Sequence, residues 1–250
     1  MIVCKSVVEL ETMRAAGRVV AQVLDEVAAR VKPGVTTLEL EAVAEDAIAR
    51  LGGEPAFKGY HGYPCVLCTS VNEEIVHGIP SERKLKAGDI VSIDVGVKLD
   101  GYYADSAVTV ALEPVAPEAK RLLDVTKSAL ETGIAQARAG NYLADLSGAI
   151  QQHVEAAGFN VVREFVGHGI GTALHEEPQV PNYVTPGRGR GPKLAAGMVL
   201  AIEPMVTTGS PAVKMQPNRW TAQTTDGGFA AHFEHSVAVT ENGPWILTVK

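Results

Sequence analysis

The chain has 250 residues, 46 % apolar and 20 % charged, enough for one large globular unit with a full core. Its net charge of −7 argues against general affinity for nucleic acid or an anionic membrane, since both select basic surfaces. No apolar stretch approaches the ~18 residues of a membrane span, and Lys5 and Glu9 fall where a signal peptide would be apolar. The three cysteines, Cys4, Cys65 and Cys68, are an odd count that fits reduced thiols in a cytoplasmic protein.

In chain order, Ser6 and Glu9 spell a capping box ahead of apolar residues at helical spacing as far as Arg30, broken by Pro33 and Gly34. Thr36 and Glu39 open a second helix that ends at Gly52 and Gly53. Short β-rich runs follow: CVLCTSVN, IVSIDVGVKL and YYADSAVTVAL. From Pro117 the order starts again, with a helix to about Ala139, a break at Gly140 and Asn141, and a helix to Gly158. The strand-like runs VVREFV, MVLAIEPMV and EHSVAVT complete the chain.

The repetition extends to single residues. Lys32, Gly34, Glu39, Leu40 and Gly52 return 106 positions later as Arg138, Gly140, Asp145, Leu146 and Gly158. The segment LKAGDIVSID, ending at Asp94, returns 109 positions later as LAAGMVLAIE, ending at Glu203. Two copies are too few for a solenoid. The expectation is one catalytic domain, 1–250, with pseudo-twofold halves of about 1–115 and 116–250, each with two helices and antiparallel strands.

Asp94 and Glu203 interrupt apolar runs, where a carboxylate is costly to bury unless it is paired or bound to a metal. KLDGYY, after Asp94, reads as a hairpin turn. A loop at Leu99–Asp100 sets Asp94 opposite Asp105, and a loop at Asp100–Gly101 makes them diagonal neighbours on one face. Either register leaves their Cβ atoms about 4.5–8 Å apart. Ionised carboxylates that close repel, and a cation relieves the repulsion. Glu234, just before SVAVT, would join them if the halves close on each other, giving four carboxylates that two divalent cations balance.

The turn GHGIG places His168 between glycines that let the backbone approach other segments. One imidazole with four carboxylates suits Mn, Fe(II), Co or Zn. His175 follows in HEEP, and His77 lies in the Gly- and Pro-rich turn VHGIP. His61, His153, His232 and His235 are expected to be structural or exposed. GHGIG is no dinucleotide fingerprint, because Thr172 stands where the third glycine belongs. HFEH lacks the spacing of two zinc ligands on one helix face, and the basic loop 187–193 reads as a solvated connection.

Taken together, YHGYPC (60–65), CTSVNEEIVHGIP (68–80), SIDVGVKLDGYYAD (92–105), GHGIGTALHEEPQV (167–180), AIEPMV (201–206) and FEHSVAVT (233–240) resemble the methionine aminopeptidases over essentially the whole chain. The resemblance implies the α+β pita-bread fold, a curved antiparallel sheet covered by two pairs of helices. The ligand order Asp, Asp, His, Glu, Glu is shared with Xaa-Pro dipeptidases of that fold, which form the alternative. Tyr60 to Pro80 resembles the methionine-pocket region and favours the methionine enzymes, in their minimal bacterial type I form.

The resemblance further implies two divalent ions (Co, Mn, Fe(II) or Zn): one chelated by Asp94, both bridged by Asp105 and Glu234, and the second completed by His168 and Glu203. It makes a water between the ions the nucleophile, Glu203 its proton acceptor, His175 the oxyanion donor and His77 the contact to the scissile amide. Tyr60, Tyr63, Cys68 and Trp220, with Phe57 and Leu174, would line a pocket for methionine. Leu174 departs from the bulkier Phe or Met that relatives more often carry. The implied substrates are nascent chains with N-terminal Met and a small second residue, with contact to the ribosome. A monomer is expected.

Overall fold

The computed structural model describes residues 1–250. At Ser6 the side chain accepts from the Glu9 amide while the Glu9 carboxylate accepts from the Ser6 amide at 2.7 Å, opening α1 (Val7–Ala28). Thr36 and Glu39 repeat the reciprocal pair and open α2 (Thr37–Arg50). Pro117 begins α3 (Pro117–Gln136), where a missing N–H costs nothing. Asp145 accepts from the Tyr142 amide at 2.8 Å at the start of α4 (Leu143–Ala156). Each helix stops two to three residues before the expected end.

Between and after the helices lie β1 (Leu67–Val71), β2 (Ile90–Leu99), β3 (Tyr102–Ala111), β4 (Gly167–Gly169), β5 (Glu176–Val180), β6 (Val199–Ile202) and β7 (Glu234–Thr240). They belong to a nine-stranded antiparallel sheet in the order β1-β2-β3-β7-β6-β4-β5; Glu54–Pro55 also pairs with β2, and Gly243–Ile246 pairs with β7. Helices α1 and α2 bury Val20, Val23, Leu40 and Ile48 against Val91, Ile93, Val95 and Val97 of β2. Helices α3 and α4 bury Leu122, Leu130, Leu146 and Ile150 against Leu200, Ile202, Val237 and Val239. Strand alternation turns the even residues of β2 (Ser92, Asp94, Gly96) to the opposite face. The carboxylates therefore lie on the face away from the helices.

The two halves share backbone detail. Gly34 and Gly140 (φ 93° and 98°) donate to Leu85 and Leu194 carbonyls at 2.8 and 2.9 Å, and bridges Thr36–Lys84 and Tyr142–Lys193 occupy matching places. Gly88 and Gly197, the glycines of the repeated ten-residue segment, have φ of 94° and 91°.

One open choice is decided and two expectations are corrected. The β2–β3 loop is Asp100–Gly101, both in the left-handed region (φ 50° and 83°), so Asp94 pairs with Ala107 and Asp105 with Gly96. The diagonal register holds and the facing one does not, because an Asp-Gly pair suits a turn that needs positive φ twice. Of VVREFV only Val161 is in a strand, the short Asn160–Val161; the remainder turns and carries Phe165 to within 5.4 Å (ring centroids) of His77. MVLAIEPMV divides into β6 and Met205–Thr207 at Glu203–Pro204, since proline has no N–H for the ladder.

Candidate active site

Asp94, Ala107 and Glu234 stand in one row across β2, β3 and β7. The small Ala107 leaves the space between the two acids open. Asp105 lies two residues from Ala107 on the same face. From the other half, His168 pairs with Ala201 of β6, and Glu203 follows two residues later where that strand breaks. Gly167 makes this approach possible: a Cβ there would lie 2.3 Å from the Ala201 carbonyl oxygen.

His168 Nε2 is 3.4 Å from Asp105 Oδ2 and 3.6 Å from Glu203 Oε1. One ligand atom each of Asp105, His168 and Glu234, all buried, lie within 4.8 Å of one another. Burial, then repulsion from Asp105 and Glu203, holds the Asp94 carboxyl well above the usual carboxylate range. Burial, then the same two acids, raises Glu234. Burial lifts Glu203 to about 8 against the opposing pull of His168, with Asp105 adding to the rise. Burial alone would lower His168, but the Asp105 and Glu203 carboxylates outweigh it and bring it to about 9.

The Oδ1 atom of Asp94 is buried with no hydrogen-bond partner. An unpaired buried carboxylate oxygen, four crowded acids and one imidazole together form a donor set that fits hard or borderline divalent cations.

The cradle forms one end of a cleft of about 230 Å³, and its other end is apolar. All thirteen residues expected from the sequence line it: the five above with Phe57, Tyr60, Tyr63, Cys68, His77, Leu174, His175 and Trp220. The Tyr63 hydroxyl is 3.0 Å from both the Leu67 and Gly78 carbonyls, and Trp220 meets its ring edge-on at 5.1 Å. Asn218 Oδ1 accepts from the Trp220 and Thr221 amides at 3.0 and 2.9 Å, fixing the turn that presents the indole. Gly96 makes room for Phe57: a Cβ there would lie 2.6 Å from its ring. Leu174 is buried at the same end.

His77 holds a left-handed backbone (φ 59°), strain of the kind that gathers at functional sites. Burial lowers its pKa to about 4, so the ring is neutral at pH 7. His175 is open at the mouth of the cleft, yet the surrounding protein, with His168 at 4.0 Å between ring centroids, lowers it to about 4 as well. Its Nδ1 is 2.9 Å from the Tyr60 hydroxyl. Tyr60 is presented by a turn in which Gly59, His61 and Gly62 all have positive φ (87°, 48° and 88°).

Of the four histidines expected to be structural or exposed, His61 is exposed as expected but faces the site, and His232 departs from the expectation. His61 lines the cleft beside Tyr60. His232 is buried, and its Nε2, without a hydrogen-bond partner, is 3.9 Å from Glu203 Oε2 and 4.0 Å from Glu234 Oε2. The spacing of HFEH rules out a helical ligand pair but not a strand-like one: two residues of extended chain put His232 and Glu234 on one side. The other two are structural, His153 against Ser128 Oγ at 2.7 Å and His235 against Thr248 Oγ1 at 2.9 Å.

The sequence model of metallopeptidase family M24 matches residues 11–241. A protein of Clostridium acetobutylicum named methionine aminopeptidase is 51 % identical over 250 residues, covering 100 % of this chain and 99 % of that one. The crystal structure of a methionine aminopeptidase from Thermotoga maritima superposes with a TM-score of 0.97 at 47 % identity and covers 100 % of both chains. A prolidase from Pyrococcus horikoshii shares the fold at a TM-score of 0.78 and 22 % identity, with 100 % of this chain matching 65 % of that one. No helix is long and apolar enough to cross a membrane.

Proposed function

The chain belongs to metallopeptidase family M24 and, within it, to the methionine aminopeptidases, and from that premise we propose how its own residues remove an N-terminal methionine. One observation carries the reading: an apolar pocket walled by Tyr63, Cys68, Leu174 and Trp220 opens directly onto a cradle of four carboxylates and one imidazole. The pocket takes the methionine side chain, and sulfur–aromatic contacts with Tyr63 and Trp220 contribute about 0.3–1.5 kcal/mol each.

Asp94, Asp105, His168, Glu203 and Glu234 would together hold two divalent ions. When bound, such ions polarise a carbonyl and lower the pKa of water. Glu203, as a carboxylate at the edge of the cradle, would accept the proton that water gives up.

The Tyr60 hydroxyl keeps its proton, its pKa being raised by burial and by Tyr103. Turned toward His175 Nδ1, 2.9 Å away, that proton would leave the hydrogen of the neutral ring on Nε2. His175 is thereby fixed as a donor to the oxygen on which charge develops. His77, neutral and outside the ligand set, contacts the scissile amide and its departing amine. The second residue of the substrate is small, the peptides are those of nascent chains, and the enzyme works in the cytoplasm.

Assaying Met-Ala-Ser against Ala-Pro tests the assignment. Release of free methionine from the first, with the second left intact, is expected; rapid hydrolysis of Ala-Pro alone would assign the chain to the dipeptidases of the same fold.

A further inference from the structure

We propose that Lys5, outside the first helix and absent from the cleft, is a positioning residue for His175, acting through Glu176. This rests on the role given to His175 above. The Lys5 side chain is 3 % exposed and its ammonium donates to Glu176 Oε2 at 2.5 Å, with the Glu176 side chain 12 % exposed. The same ammonium reaches the Val3 carbonyl at 3.2 Å, and the Lys5 amide donates to the Gly197 carbonyl at 2.7 Å. Lys5 is thus tied at its backbone to the turn before β6 and at its tip to the start of β5.

Glu176 uses its second oxygen on the turn between β4 and β5. Oε1 accepts from the Thr172 and Ala173 amides at 2.8 and 3.2 Å. That turn carries Leu174 and His175, so one carboxylate closes the loop that presents both. Gly171 admits the arrangement: a Cβ there would lie 2.4 Å from Lys5 Cε and 2.5 Å from Glu176 Oε1. The last glycine of GHGIG therefore makes room for a lysine 166 positions earlier in the chain.

A buried ion pair is weak evidence for stability, because desolvating two charges offsets most of their attraction. Removing one partner, however, leaves the other charge buried alone. Without the ammonium, Glu176 is drawn toward solvent, the Thr172 and Ala173 amides lose their acceptor, and the loop bearing His175 relaxes. A displacement of about 1 Å at a catalytic group can cost about 10²-fold in rate.

The test is a double-mutant cycle on the metal-loaded enzyme with Met-Ala-Ser, measuring kcat, KM and bound metal for Lys5→Met, His175→Ala and both together. Lys5→Met is expected to lower kcat between about 10- and 100-fold with metal content unchanged. In the His175→Ala background the same change should cost less than about twofold, because its effect runs through that ring. Glu176→Gln, which keeps the shape and loses the charge, should repeat the pattern and serves where Lys5→Met does not fold. Equal losses in both backgrounds, loss of metal in step with activity, or an unchanged kcat would overturn the proposal. A His175→Ala enzyme as fast as the parent would instead remove the role of His175, and this inference with it.

Discussion

The acidic wall of the cleft stands on strands, whereas the apolar wall is carried mostly by turns. Asp94 and Asp105 on β2 and β3 and Glu234 at the start of β7 owe their places to a period of two and to one Asp-Gly turn. Tyr60 and His77 sit in left-handed turns, and Trp220 follows Arg219 in another (φ 65°). Strand registers fix positions to a fraction of an ångström against a packed core. Turns hold their residues by single hydrogen bonds such as Asn218 to the Trp220 amide. Damage to the strands should therefore strip the metal, and damage to the turns should leave it bound.

The largest effect is expected from Asp105→Asn. On the proposed two-ion arrangement it removes a shared charge, and metal affinity should fall by more than the ~10–100-fold that follows from disturbing an outer partner of a ligand. Metal analysis of the purified variant checks this; retention of two ions would break the contrast. His77→Ala should do the opposite, keeping its metal while kcat falls by about 10²–10⁴-fold, the range for a positioned proton-transfer group. Equal losses of metal and activity would place His77 among the ligands.

The strand wall should also govern the pH dependence of stability without metal. The folded-state pKa of Glu203 is raised to about 8 and that of His168 to about 9. A raised pKa means stability fully present below the ordinary value and lost as pH climbs through the folded one. The neutral rings of His77 and His175, lowered to about 4, act at the other end and lose stability on acidification from 6.5 toward 4. The metal-free protein should thus melt at progressively lower temperature from about pH 6.5 to 9, by roughly 2–4 °C per kcal/mol lost. Saturating divalent metal should flatten that slope, because bound cations favour the ionised carboxylates. A metal-free melting temperature that rises over this interval would contradict the assigned shifts.

Smaller effects belong to the turns that carry Tyr60 and Trp220. Tyr60→Phe keeps the pocket wall and loses one hydrogen bond to His175, so kcat should fall up to roughly tenfold with KM for Met-Ala-Ser little changed. Imidazole nitrogen NMR offers a second reading: Nε2–H in the parent and a tautomer mixture in the variant. Trp220→Ala should mainly raise KM, about two- to tenfold for the loss of a sulfur–aromatic contact. A larger fall in kcat than rise in KM would give the indole a role in the chemistry.

The contrast also explains what the sequence could and could not disclose. Asp94 and Glu203 were visible because a carboxylate inside an apolar run has few physical excuses, and the repeat linked them across 109 positions. The facing-or-diagonal choice for Asp94 and Asp105 stayed open until the loop was located, since both two-residue turns fit KLDGYY. His232 escaped because its neighbourhood is set by the pairing of Ala230–His232 with Met205–Thr207, just past the break at Glu203–Pro204, a long-range juxtaposition with no local signature. The same holds for Lys5 and Glu176, which meet across 171 positions. Tyr60, His77 and Trp220 were reached only through likeness to a family; no periodicity points to a residue on a strained turn.

The central claim is that the cradle binds two divalent ions and that methionine release depends on them. Metal-stripped protein titrated with Mn(II), with calorimetry and methionine release from Met-Ala-Ser followed on the same samples, tests it most directly. The expected result is binding that saturates at two ions per chain, with release rising from near zero along the same curve. Full-rate release by the metal-free protein, or no binding at micromolar Mn(II), would contradict it.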